Sequence, residues 1–193
     1  MRRGLTVACA ALVLGACAPR EEGWHVKNVA GLLPGLELQM TEAGGRAVSA
    51  ADYRGEVVLL FFGYTHCPDV CPTTLARLAA ARAAMRDHRD AVRVLFVTVD
   101  PARDGAALLA RYARAFGPGV TGLRGSEEAL AALARRYRVS YSRDAPDAHG
   151  DYAVSHSGGV FVFDRTGRAR LLIRPDDPVP GIAADLERLA AGG

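Results

Sequence analysis

Two largely apolar runs, 56-EVVLLFF-62 and 92-VRVLFVTV-99, constrain what this chain can fold into more than any other feature. A strand with one wet face alternates apolar and polar residues, whereas a strand apolar at successive positions is covered on both faces. Between the runs the spacing turns helical from Thr73, with Leu75, Leu78 and Met85 lining one face and Thr73 or Thr74 placed to cap it. Buried strand, helix, buried strand predicts a right-handed parallel unit.

The flanking segments complete the layout. Leu36, Leu38 and Met40 alternate with polar residues, Gly44-Gly45 marks a turn and Ala47-Val48 returns, which predicts a hairpin. Downstream, the pattern predicts a helix over Ala106 to Phe116, a strand over Val120 to Leu123 and a helix over Ser126 to Tyr137. Strands 159–164 and 168–174, joined by a turn at Arg165-Thr166-Gly167, precede a closing helix over Val179 to Ala190. This order predicts an α/β, thioredoxin-like fold: a central mixed sheet flanked by helices, with an N-terminal β-hairpin extension. Chemistry in such a sheet belongs at the carboxyl ends of the parallel strands. There stands 63-GYTHCPDVCPTT-74.

A length of 193 residues fits one domain, and half apolar residues with 23% charged is ordinary for a globular protein. The net charge of +3 comes from scattered arginine, and Lys27 is the only lysine. No basic run carries interleaved aromatics, so the composition gives no nucleic-acid footprint. The N-terminus reads as targeting: Arg2 and Arg3 precede an apolar run from Leu5 to Leu14 that is too short to span a bilayer. That run ends in Leu14-Gly15-Ala16-Cys17, which resembles a bacterial lipoprotein box. The resemblance implies a signal peptide over 1–16, lipid on Cys17, a lipid-anchored linker over 17–34 and a domain over 35–193. The protein is then an extracytoplasmic, periplasmic-side lipoprotein touching the membrane through its anchor.

Cys9 leaves with the signal peptide and lipid consumes Cys17, so Cys67 and Cys71 remain as free chemistry. A stapling role explains them poorly, because closing so short a loop constrains the unfolded chain little. In a thioredoxin-like site the first Cys precedes a helix N-terminus that favours a thiolate. Pro68 and Pro72 suit the opening of that helix, where a missing N–H costs nothing. Residues four apart share a helix face, near enough for a disulfide or for both sulfurs to bind one metal ion. Thioredoxin-type redox pairs have two intervening residues; here there are three, Pro68, Asp69 and Val70.

Two thiolates favour copper(I), and a third, nitrogen ligand lets the same site hold copper(II). Of the histidines, His25 lies in the linker and His88 at a polar helix end, both expected in solvent. His66 adjoins Cys67 and would have to fold back sharply, while His149, in 144-DAPDAHGD-151, is a candidate secondary ligand. His156, just before a core strand, lies on the loop that faces the cysteine motif in this topology. A merely hydrogen-bonded histidine at a strand edge is the bland alternative.

GYTHCPDVCPTT, then 97-VTVDPARD-104, then Tyr152 and His156 in a Tyr-x-x-x-His before the GGVFVFD strand, resemble the Sco/SenC proteins in the same order. The resemblance runs from about Leu36 to Leu189. It implies a membrane-tethered domain that binds one copper ion through Cys67, Cys71 and His156. It also implies support for assembly of the copper A centre in cytochrome c oxidase subunit II, by supplying copper, by reducing its cysteines, or both. A thiol reductant or an upstream copper donor is then a further partner. Relatives often carry an acidic residue just before the His, where this chain has Ser155; Tyr64 and Val70 replace their common Phe and Ile. Asp100, Arg103 and Asp104 belong to the signature, with Asp100 read as a loop or supporting residue or as a helix cap, not as a ligand to a soft metal. Asp69 is expected in solvent, and Tyr152 and Phe161 in the core or its rim.

An extracytoplasmic thiol–disulfide oxidoreductase without metal is the competing reading, with Cys67 and Cys71 as its redox-active pair. Such enzymes usually place a cis-proline in the loop facing the cysteines, and 156-HSGG-159 has none. A peroxidase would want a single activated Cys with a nearby Arg in a different spacing.

Overall fold

The computed structural model describes residues 23–147 and 152–192. The expected signal peptide, the expected lipid site Cys17 and the candidate ligand His149 lie outside these residues. The two apolar runs form β4 (Val57–Gly63) and β5 (Val92–Thr98), paired in parallel from Val57↔Val92 to Gly63↔Thr98. Every residue of β4 is buried, as a strand covered on both faces requires. α1 (Val70–Ala84) makes the crossover between them, and α2 (Ala106–Arg114) leads to a third parallel strand, β6 (Val120–Arg124).

On the other side of β4 lies antiparallel β9 (Val160–Phe163), then β10 (Ala169–Ile173) and the short edge strand β1 (Lys27–Asn28). The predicted N-terminal hairpin, β2 (Gln39–Glu42) and β3 (Ala47–Ser49), joins the far edge through β6. The result is one eight-stranded mixed sheet in the order β1-β10-β9-β4-β5-β6-β2-β3. α3 (Glu127–Arg136) and α4 (Val179–Ala190) complete the helices. The arrangement is thioredoxin-like, as expected. No helix among the described residues is long and apolar enough to cross a membrane.

Three details depart from the sequence reading. α1 starts at Val70 rather than Thr73, with Asp69 at the cap position. The first amides of a helix have no intrahelical acceptor, so Pro72 fits inside the first turn without breaking it. Leu36 and Leu38 are buried but precede β2, which begins only at Gln39. A separate two-stranded ribbon, β7 (Tyr141–Arg143) and β8 (Val154–His156), was not foreseen. Each of its strands is too short to carry a periodic signal.

The described end of the linker segment packs on the domain. Asp185, buried in α4, accepts the amides of His25 (3.2 Å) and Val26 (2.9 Å) and meets the His25 ring at 2.9 Å. Val26 and Val29 are buried while the His25 ring stays largely in solvent.

The β9–β10 turn supplies a pH-dependent element. Gly167 takes the left-handed φ of +77° that the tight turn needs. The Asp164 carboxylate accepts the Thr166 amide (2.9 Å) and hydroxyl (2.6 Å) and the Arg168 amide (3.1 Å). Burial alone would raise its pKa, but these hydrogen bonds and Arg170 hold it at about 2. A carboxyl depressed in the folded state contributes stability above its unfolded value, which is lost as pH falls from about 4 towards 2. We expect roughly 2 kcal/mol to vanish across that window, and Asp164→Asn to remove this acid-sensitive component in denaturant melts.

Candidate metal centre

The site forms where β4 runs out. Asp104, fully buried, accepts the Thr65 amide (3.0 Å) and hydroxyl (2.6 Å) together with the Thr98 hydroxyl (2.6 Å). It thereby pins the loop after β4 to the end of β5. The Cys67 amide closes that loop onto the Tyr64 carbonyl at 3.3 Å. Cys71 then enters the first turn of α1, fully buried, and its amide donates to Cys67 Sγ at 3.4 Å. The outer sulfur thus takes one of the amides that the helix start leaves free. Cys67 is only partly buried, and both cysteines are free thiols.

His156 ends β8 and turns its ring onto this pair. Its Nδ1 lies 3.0 Å from the Ser157 carbonyl, which can only accept, so Nδ1 carries the proton. Nε2 then offers a lone pair 3.3 Å from Cys71 Sγ. Burial pushes the Cys71 thiol up, so in the metal-free protein the S–H donates to Nε2. Phe61 and Tyr64 hold the imidazole edge-on, with ring centroids 6.0 and 6.2 Å away. Cys67, Cys71 and His156 each offer one ligand atom, and these lie within 4.8 Å of one another.

The other candidates go elsewhere. His88 is exposed, and His66 is exposed with its Nδ1 3.1 Å from the Thr65 hydroxyl and 3.5 Å from Asp104. Asp69 is exposed and accepts the Thr73 hydroxyl at 3.2 Å. Phe161 is core, stacked near Tyr137 and Phe62. Asp100 is no helix cap, since Gly105 occupies that position for α2. Instead it is fully buried, bonded by the Arg103 guanidinium and by the Tyr152 hydroxyl at 2.8 Å. Burial acts to raise its pKa, but those bonds and the charges of Arg103 and Arg143 outweigh it and hold the carboxyl low.

Sequence reasoning missed two contributors. Tyr152, assigned no chemistry, is the anchor for Asp100; along the segment that follows it, Ala153 and Ser155 are exposed and Val154 is buried. Ser155 therefore faces outward, and an acidic residue there would not point at the sulfurs. The second is Gly63, whose lack of a side chain makes room for Cys71 Sγ.

The family model described as SCO1/SenC matches residues 34–191. The chain belongs to the SCO1/SenC family. Among SCO1/SenC relatives, the mitochondrial SCO2 homolog of Bos taurus is 41% identical over 133 residues, covering 68% of this chain and 50% of that protein. The human mitochondrial SCO1 homolog is 34% identical over 156 residues, covering 78% and 50%. The chain thus spans about half the length of these mitochondrial relatives. Bradyrhizobium japonicum ScoI, solved with copper bound, superposes with a TM-score of 0.73 at 37% identity, covering 80% of this chain and 98% of that one. Apo Sco1 from Thermus thermophilus gives 0.74 at 35% identity, covering 89% and 98%.

Proposed function

We propose that this SCO1/SenC protein binds one copper ion through Cys67, Cys71 and His156 and serves assembly of the copper A centre of cytochrome c oxidase. The observation that carries the reading is the convergence of two sulfurs and one imidazole nitrogen within 4.8 Å. Two soft donors plus a nitrogen suit copper in both oxidation states. A structural zinc site would want a fourth protein ligand, and the buried carboxylates of Asp100 and Asp104 are already engaged by Arg103, Tyr152, Thr65 and Thr98. The copper carried by the Bradyrhizobium relative supports the same cargo here. BsSco, described as a member of the Sco family of cytochrome c oxidase assembly proteins, shares the fold at 21% identity, and the acceptor in this reading is cytochrome c oxidase subunit II.

In this reading the copper is cargo. Three protein ligands leave a side open to an incoming thiolate, so release proceeds by ligand exchange. Lipid on Cys17, exposed once the peptide 1–16 is removed, holds the protein on the periplasmic side of a membrane. That compartment oxidises thiols. A Cys67–Cys71 disulfide must gain two electrons and two protons from a dithiol reductant, itself converted to a disulfide, before copper can load.

Copper titration of the full-length protein tests the reading. Reduced protein is expected to bind about one copper per chain with an intense thiolate-to-copper(II) visible band, and the disulfide form to bind almost none. Equal binding by both forms, or none by the reduced one, overturns it. Unaltered disulfide exchange with a partner thiol alongside absent copper binding would favour the metal-free oxidoreductase.

A further inference from the structure

The ribbon that carries His156 has three residues per strand and stands apart from the main sheet. A lone two-stranded ribbon of that length is marginal in water. Its placement over the sulfurs therefore depends on what ties it to the domain. Two ties converge on a single buried carboxylate. The Tyr152 hydroxyl, leading into β8, donates to Asp100 Oδ1 at 2.8 Å, and Arg143 of β7 brings its Nε to 3.9 Å from the same oxygen. Arg103 bonds the other oxygen, Oδ2, and stacks its guanidinium carbon 3.6 Å from the centre of the Tyr152 ring. The same guanidinium lies 5.9 Å from the centre of the Tyr64 ring, whose edge contacts His156. Asp100 itself is fixed at the end of β5, its amide donating to the Thr98 hydroxyl at 3.0 Å.

We propose that Arg103, with Asp100 and Tyr152, is a latch that positions the β7–β8 ribbon and thereby sets the reach of His156 to Cys67 and Cys71. Tyr152, Val154 and His156 share the inward face of one extended segment. The latch grips one end of that face and the cysteine pair meets the other. Arg103 touches neither sulfur nor imidazole; it acts through the ribbon. The inference deepens the copper reading and rests on it for its metal readout, but not for its metal-free one.

The test compares full-length wild type with Arg103→Ala, Arg103→Lys and Tyr152→Phe. In metal-free protein, hydrogen exchange is followed at the Asp144 and Ser157 amides, which bond to the Ala153 and Ser140 carbonyls across the ribbon. Arg103→Ala is expected to speed exchange there about tenfold while leaving β4 and β5 unchanged, because a lost charge-assisted bond and stack loosens only the ribbon. It should also speed copper(II) release about tenfold and weaken the visible band and the paramagnetic-resonance signal that His156→Ala loses altogether, with copper(I) affinity within about twofold. Tyr152→Phe keeps the stack and should fall between, and Arg103→Lys should rescue partially. Unchanged exchange at Asp144 and Ser157 overturns the latch, as does faster exchange spread equally over β4 and β5. If Arg103→Ala does not fold, Tyr152→Phe, which removes one oxygen, decides. Wild type that binds no copper sinks the copper reading alone, and the exchange result still judges the latch.

Discussion

Full-length protein carrying His156→Ala is expected to hold no stable copper(II), while its two sulfurs still take copper(I) and still oxidise to a disulfide. Nε2 faces the pair with a lone pair 3.3 Å from Cys71 Sγ, and among the described residues it is the only nitrogen in the converging set. Two thiolates alone satisfy the soft cuprous ion, whereas the cupric ion needs the imidazole. Loss of a directly bonded donor should exceed the 10–100-fold cost typical of an outer partner, so copper(II) affinity should fall by about a hundredfold or more. The visible thiolate band and the copper(II) resonance signal should vanish together. An unaltered spectrum would remove His156 from the ligand set.

The second large effect is steric. A Cβ on Gly63 would lie 2.6 Å from Phe96 Cε2 and 2.9 Å from Cys71 Sγ, inside normal contact distance of both. Both neighbours are fully buried, so neither can retreat into solvent. Overpacking of this kind typically costs about 1–3 kcal/mol, and we expect Gly63→Ala to lose that much in equilibrium denaturation. Because one of the clashing atoms is a ligand sulfur, the same variant should broaden the copper(II) spectrum. A denaturation midpoint equal to wild type would show that the β4 terminus yields more easily than its packing indicates.

Much of this was legible in advance because the informative segments carry strong local patterns. The runs at β4 and β5 declared burial on both faces, and the β9–turn–β10 signal at Arg165-Thr166-Gly167 named its own hairpin. The cysteine spacing and the position of His156 pointed to the end of the sheet where these three side chains lie together. What escaped depends on contacts between residues distant in sequence. Asp185 holds the amide of Val26 from the far end of the chain, which no window around residue 26 reveals. The grip of Arg103 on Tyr152 spans two helices, a strand of the main sheet and the first strand of the ribbon. The start of α1 was misplaced because threonine is a common cap, whereas here the chain turns helical earlier and Cys67 Sγ takes the amide of Cys71.

The unequal burial of the two sulfurs gives the pair an outside and an inside. Cys67 and the His156 ring are both only partly buried, while Cys71 is fully buried. On the proposed copper reading, an incoming sulfur meets Cys67 or the imidazole before it meets Cys71, so the inner sulfur is the last of the three to be displaced.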